Sequence, residues 1–421
     1  MSPAIVAIEA LGAGGDGIAG LDGGQVFVPG ALPGDRVEIA PEGKAGGEGR
    51  QARLLRVLEP GPDRVAPPCR HATRCGGCAL QHMAPAPLSD WKRQTVVVAL
   101  GHRGFGAPPV GAIVPAAPGR RRRVAWTART DRRGALLFGY HARRSRELVD
   151  IAMCPLLEPA LEALLRPLRD LLRGLMPPRG EARVAATVTD GGVDLLIDLP
   201  GRPDSRAFER MASFADTHDL ARLLLRQDGM PVPVATRRPP VLDWPHLAVE
   251  PPPGGFLQAD RVIEREMQRL VGDLAAGAAR VADLYCGCGT LTAALDPASE
   301  VLALDSDAEA VAALKAAVNR VPGRRVTALA RDLNRRPLMA NELAGFDLVV
   351  LDPPAAGARV QAAELAASRV PAIGYVSCEP ATFARDARML ADGGYDLVSV
   401  TPLDQFHWAA DIELFAVFRR T

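Results

Sequence analysis

Cys378 stands in Tyr375-Val376-Ser377-Cys378-Glu379-Pro380, where an apolar run gives way to polar residues and a proline. The commonest fate of a free thiol is a buried apolar site. A thiol where a strand ends is placed instead to act as a nucleophile. Two carboxylates sit in similar settings, Asp352 in Leu351-Asp352-Pro353-Pro354 and Glu413 in Ile412-Glu413-Leu414. A thiolate that adds to carbon 6 of a uracil ring makes carbon 5 enolate-like, able to take a methyl group from a sulfonium. A base must then remove the carbon 5 proton before the thiolate leaves. Cys378 is the candidate nucleophile of such a cycle and Glu413 the candidate base.

A second constellation is Asp283-Leu284-Tyr285-Cys286-Gly287-Cys288-Gly289-Thr290, which follows an apolar run. Gly287 and Gly289 allow the turn to bring backbone close to a ligand. Asp305 ends the next apolar run, where an acid accepts hydrogen bonds from ribose hydroxyls. The third glycine of the dinucleotide fingerprint is missing, which disfavours NAD and its pyrophosphate. The pattern suits S-adenosylmethionine, which has no phosphates. Asp332, after the third strand, is placed to meet an adenine amino group.

A third group is distant. Cys69, Cys75 and Cys78 are followed by a lone Cys154. Four thiolates satisfy either an iron–sulfur cluster or zinc. Only one close pair exists, and Pro155 follows Cys154, which points to a cluster. His71 and His82 nearby keep zinc open.

These residues need elements to hold them. From about 255 onward strands and helices alternate, with strands expected at Arg280–Tyr285, Val301–Leu304, Val326–Ala330, Asp347–Leu351, Gly374–Ser377, Asp396–Val400 and Leu414–Phe418. That alternation implies an α/β domain, a largely parallel sheet with its site outside the carboxyl ends of the strands. Residues 1–60 carry short apolar runs between Gly- and Pro-rich turns, which suits an OB-like β-barrel. Residues 61–250 read as a mixed α+β central domain, with a helical start at 90–93, a helix from Glu158 to about Leu175 and a Pro-rich linker over Pro231–Pro253. The third domain is 251–421.

Net charge is +1, so whole-chain charge implies no partner, and 48% hydrophobic with 24% charged residues is ordinary for a globular protein. No apolar run approaches the roughly 18 residues of a membrane span. The expectation is a cytoplasmic protein with no membrane contact and no obligate protein partner. All but three of the 50 basic residues are Arg. Gly119–Arg146 holds ten of them, with Trp126, Phe138, Tyr140 and His141 interleaved. Arg neutralises phosphate and aromatic faces stack on unpaired bases, so this segment is the expected RNA surface.

The chain resembles the RNA uracil-5 methyltransferase family, and most closely its branch with an N-terminal TRAM barrel and an iron–sulfur cluster that modifies 23S ribosomal RNA. Val26-Phe27-Val28-Pro29-Gly30 with Leu32-Pro33-Gly34 resembles the TRAM signature. Phe256-Leu257-Gln258-Ala259-Asp260 resembles the family's Phe-x-Gln-x-Asn segment. Asp283–Gly287, Asp352-Pro353-Pro354 and Ser377-Cys378-x-Pro380-x-Thr382-x-x-Arg385-Asp386 match its successive motifs. The resemblance implies a class I methyltransferase fold, with Gln258, Tyr285, Asp305 and Asp352 lining the S-adenosylmethionine site. It implies Cys378 as nucleophile, Glu413 as base and a [4Fe–4S] cluster on Cys69, Cys75, Cys78 and Cys154. The chain departs from the family at Glu379 and Asp260, usually Asn, at Asp305, commonly Glu, and at Asp411, usually His. Other readings are a tRNA uracil-5 enzyme, an RNA cytosine-5 enzyme, a radical methylthiolase and a non-catalytic RNA-binding assembly factor.

Overall fold

The computed structural model describes residues 3–46 and 49–421. Six strands come first: β1 (Ala4–Ala7), β2 (Ala10–Leu11), β3 (Asp16–Leu21), β4 (Gly24–Pro29), β5 (Arg36–Gly46) and β6 (Gly49–Glu59). They form one sheet in the order β1-β5-β6-β4-β3-β2. Inward residues Val6, Ala19, Val26, Val28, Val37 and Ile39 make a small core of their own. The Asp35 carboxylate closes this unit by accepting from the backbone N–H of Leu32 and Gly61 and from Arg64.

The middle of the chain begins with α1 (Pro85–Gly101). A second sheet follows, of β7 (Arg123–Thr130), β8 (Leu136–His141), β9 (Leu148–Asp150), β10 (Glu181–Thr189), β11 (Gly192–Asp198), β12 (Arg222–Gln227) and β13 (Met230–Thr236). Its order is β13-β12-β11-β10-β7-β8-β9. Helices α2 (Pro159–Glu162), α3 (Leu165–Arg173) and α4 (Ser205–Thr217) interrupt the strands, and their apolar residues, Leu161, Leu168, Leu172 and Met211, share its core. The single helix expected over 158–175 is two pieces. Pro167 has no N–H to offer the carbonyl of residue 163, so the chain restarts at Leu165 and keeps Pro167 in a first turn. The expected linker over 231–253 is also structured. Pro231 and Pro233 lie in β13 at the sheet edge, where a missing N–H costs no ladder bond. A hairpin of β14 (Leu242–Trp244) and β15 (Leu247–Val249) follows.

The last part contains α5 (Arg261–Leu274), β16 (Arg280–Leu284), β17 (Glu300–Asp305), α6 (Ala308–Val318), β18 (Val326–Ala330), β19 (Leu348–Leu351), α7 (Arg359–Ala367), β20 (Ala372–Ser377), α8 (Pro380–Asp392), β21 (Tyr395–Leu403) and β22 (Glu413–Arg420). Every strand expected from the alternation is present. The order is β18-β17-β16-β19-β20-β22-β21, all parallel except β22, which runs antiparallel to both neighbours. Val96 and Leu100 of α1 are buried in the core of this sheet beside Ile373, Phe383 and Phe418. The helix near residue 90 therefore belongs with the C-terminal sheet, although its sequence lies in the central stretch. Among the described residues, no helix is long and apolar enough to cross a membrane.

Candidate active site

The site is built at the carboxyl edge of the C-terminal sheet. β19 and β20 are adjacent and parallel, so Asp352 and Cys378, each just past a strand end, stand side by side. β22 runs the other way, so its first residue, Glu413, arrives at that same edge beside β20. One antiparallel strand thus brings a residue near the C-terminus into a crevice otherwise made by strand ends. Gln258, Tyr285, Gly287, Asp305, Asp332, Asp352, Cys378 and Glu413 all line one cleft of about 490 Å³.

The glycine turn has a shape that side chains would spoil. Tyr285 and Gly287 both have positive φ, 60° and 53°. A Cβ on Gly287 would meet nothing within 4 Å and would occupy open cleft, whereas one on Gly289 would strike Leu314 at 2.6 Å. Gly287 therefore keeps space for a ligand, and Gly289 lets the turn pack on α6. Asp305 braces the turn, its Oδ2 accepting from Gly287 N–H at 2.8 Å and its Oδ1 from Asp307 N–H at 2.8 Å. Asp332 accepts from Asn334 N–H at 2.9 Å and has its side chain partly open to the cleft. Beneath the turn Asp283 is fully buried, with only Thr292 Oγ1 as side-chain donor, and burial lifts its carboxyl to about 7.

Around the nucleophile the charges crowd. Burial pushes the Cys378 thiol up to about 12, and the carboxylates of Glu413 and Asp352 add to the shift. Glu413 is itself raised well above the carboxylate range by burial and by Asp352. Asp352 is raised by burial and by Asp305, against which the Gln258 amide acts. Three anionic forms disfavour one another here, and a cation in the cleft would favour the charging of each.

Amides link these groups. Gln258 Nε2 donates to Asp352 Oδ2 at 2.9 Å. Gln405 Nε2 donates to Gln258 Oε1 at 2.8 Å and to Glu413 Oε2 at 2.6 Å, while Gln405 Oε1 accepts from Ala259 N–H at 2.9 Å. Sequence reasoning gave Gln405 no role. Its segment is held by Lys92 of α1, fully buried, whose Nζ donates to Asp404 Oδ1 at 2.7 Å and to the Phe406 carbonyl at 2.9 Å. The Trp408 carbonyl accepts from Ala79 and Leu80 N–H, which docks the cysteine-rich loop against the same segment.

The departures from the family pattern have local accounts. Glu379 caps α8, accepting from Ala381 N–H at 3.2 Å, and Asp260 caps α5, accepting from Val262 and Ile263 N–H. Short polar acceptors at such positions satisfy orphan helix donors. The Asp411 side chain is exposed, although Glu413 two residues on is buried.

Cys69, Cys75, Cys78 and Cys154 line a separate, mostly apolar cavity of about 250 Å³. N–H groups point at their sulfurs: His71 N–H at Cys69, Gly77 at Cys75, Gln81 at Cys78 and Leu156 at Cys154. Burial raises the Cys78 thiol to about 12 and the Cys154 thiol to about 11. Among the described residues, no group of three or more His, Cys, Asp or Glu is placed to hold a metal ion, so the expected cluster ligation by the four cysteines is not shown. His71 Nε2 is already engaged by Ala152 N–H at 3.1 Å, and His82 does not line the cavity. The geometry gives no support to the two histidines as zinc ligands.

The expected RNA surface needs correction in its details. Trp126 and Phe138 are 1% and 0% exposed and pack on each other in the central core, so neither stacks on a base. Arg122 is 2% exposed. It pairs with Glu264, itself fixed by Trp244 Nε1 at 2.8 Å, and donates to the Gln258 carbonyl. Arg143 and Arg144 pair with Asp16 of the N-terminal sheet, and Arg129 with Glu181. Arg120, Arg121 and Arg123 remain partly exposed, and Arg123 lies 5.3 Å from the ring centre of Phe256, a 67% exposed aromatic at the cleft wall.

No protein-family model matches the chain. Full-length relatives do. A 23S rRNA (uracil(1939)-C(5))-methyltransferase, RlmD, of Halomonas elongata is 34% identical over 96% of this chain and 87% of its own length. The chain belongs to the RNA uracil-5 methyltransferase family. An uncharacterized RNA methyltransferase of Caulobacter vibrioides is 42% identical over 98% of this chain and 99% of its own. One of Brucella suis is 40% identical over 99% and 97%. Among solved structures, the tRNA (uracil-54, C5)-methyltransferase of Pyrococcus abyssi, in complex with S-adenosyl-L-homocysteine, superposes with a TM-score of 0.76 at 22% identity. That match covers 98% of this chain and 99% of the other, and shares the fold.

Proposed function

We propose that this family member transfers a methyl group from S-adenosylmethionine to carbon 5 of a uridine in 23S ribosomal RNA. The observation that carries the reading is the meeting of Cys378 and Glu413 at one sheet edge, inside the cleft that also holds the Gly287 turn and Asp305. The Halomonas relative's stated substrate supports the choice of RNA and base. Gln258, Tyr285, Gly287, Asp305, Asp332 and Asp352 hold the cofactor, and the open space over Gly287 and the ring of acceptors fit its hydroxyls, amines and sulfonium. When bound, that cofactor would supply the methyl group and the positive charge of its sulfonium.

The chain's own residues then have defined tasks. Cys378 Sγ, as thiolate, bonds to carbon 6 of the flipped uracil, and the electron pair of the ring double bond moves to carbon 5. Carbon 5 uses that pair to take the methyl group, whose bond to the cofactor's sulfur breaks with its electrons left on sulfur, so that S-adenosylhomocysteine leaves. Glu413 removes the remaining carbon 5 proton, the double bond re-forms and the Sγ–carbon 6 bond breaks, returning the thiolate. Flipping is required because carbon 6 is not reachable within a base stack.

The four-cysteine cavity is read as the seat of a [4Fe–4S] cluster. Thiols converging on one pocket, with N–H donors aimed at sulfur, suit thiolate ligands around a group larger than one ion. The N-terminal sheet is read as a TRAM-type OB-like barrel, which with Arg120, Arg121 and Arg123 grips the RNA. The test is methylation of unmodified ribosomal RNA with labelled S-adenosylmethionine, followed by digestion. Labelled 5-methyluridine supports the reading. Labelled 5-methylcytidine, or no transfer to any RNA despite cofactor binding, contradicts it.

A further inference from the structure

The amides between the two carboxylates have a fixed direction, and one backbone group sets it. Ala259 N–H can only donate, so the Gln405 atom it meets must be the oxygen. The Gln405 nitrogen is thereby turned toward Glu413 and Gln258, and spends both protons on them. Because Gln258 receives one at its oxygen, its own nitrogen must face Asp352. Neither Gln405 nor Gln258 can flip without setting N–H against N–H. Gln405 and Gln258 are 6% and 2% exposed, so water does not readily replace a missing partner.

An amide nitrogen cannot accept a proton. Glu413 Oε2, which receives it, is therefore held as an acceptor, and a proton on Glu413 is favoured on Oε1. We propose that Gln405 is the positioning residue of the base: it reserves Oε1 of Glu413 as the proton-accepting atom and ties that carboxylate to the cofactor-side pair of Gln258 and Asp352. The assignment of Glu413 as base rests on the function proposed above, while the hydrogen-bond role of Gln405 does not.

The groups facing Glu413 are Asp352 from the end of β19, Cys378 from the end of β20 and Gln405 from the segment after β21. Two of these oppose its charge. Gln405 is the neutral donor that favours it.

The test uses the full chain carrying 13C-carboxyl-labelled glutamate, with the Glu413 signal assigned by its loss in Glu413→Gln. Its titration is compared in the parent and in Gln405→Met, which keeps the bulk and loses the amide. Losing a donor to a charged group should move the Glu413 midpoint upward by roughly one pH unit. Turnover of Gln405→Met should fall about tenfold near neutrality and recover toward the parent as pH rises. A merely structural defect lowers turnover alike at every pH. If Gln405→Met folds poorly, Gln405→Leu carries the same test, since it also loses the amide donors and adds no charge. An upward midpoint in a chain that methylates no RNA leaves the positioning role standing and sinks the reaction reading. An unchanged midpoint with a parallel pH profile overturns the proposal.

Discussion

Lys92 and Asp404 form an ion pair out of water: Nζ and Oδ1 are 2.7 Å apart, and the side chains are 0% and 4% exposed. They are 312 residues apart in sequence. The pair fastens α1 to the segment that carries Gln405. Lys92→Met leaves Asp404 buried without its cation and should destabilise the protein by about 3–5 kcal/mol. Lys92→Met with Asp404→Leu should recover most of that stability. Denaturant unfolding of both variants checks it, and an unaffected Lys92→Met would show that the pair does not hold the segment.

The arginine run should divide by burial. Arg122→Met removes the partner of Glu264 and the donor to the Gln258 carbonyl, so it should lower thermal stability. Arg120→Ala with Arg123→Ala should leave stability unchanged, weaken RNA binding and reduce the salt slope by about 0.7–0.9 for each phosphate no longer neutralised. Binding isotherms across salt concentrations and thermal melts separate the two classes.

Asp283 should make stability depend on pH. Its folded carboxyl is raised to about 7, above the ordinary value of 3.8, so the folded state holds a proton that the unfolded state releases. Its contribution is complete below the unfolded value and is lost as pH rises through the folded one. Asp283→Asn should therefore flatten the decline in melting temperature between pH 4 and 7. Equal slopes in parent and variant would count against this assignment.

The cysteine cavity should yield about four iron and four sulfide per chain after anaerobic purification. Cys78→Ser should lose the visible absorbance of the cluster, and the docked Trp408 segment should become more open to hydrogen exchange. One zinc per chain, with no sulfide, would replace the cluster by a mononuclear site.

The C-terminal fold was legible because its strands are short apolar runs, most of them alternating with helices. Asp352 and Cys378 could be named because each follows such a run, and Glu413 because it opens one. Gln405 could not, because its partners Ala259, Gln258 and Glu413 come from remote or unrelated segments and an isolated Gln has no periodic signal. The arginine run misled in a different way. Val124, Trp126 and Ala128 alternate with more exposed residues, a period of two that marks a half-buried strand. Attending to aromatic content over that alternation placed Trp126 on the surface. The prolines after 230 suggested a linker because edge strands tolerate them, and edges are set by pairing that the local sequence does not display.

The most direct test of the central claim is adduct formation by Cys378. The protein is mixed with S-adenosylmethionine and substrate RNA carrying 5-fluorouridine, whose fluorine Glu413 cannot remove as a proton, then denatured and analysed by gel and peptide mass. The account predicts a denaturant-stable RNA adduct on the Cys378 peptide, absent in Cys378→Ala; an adduct on another cysteine, or one that persists in Cys378→Ala, would contradict it.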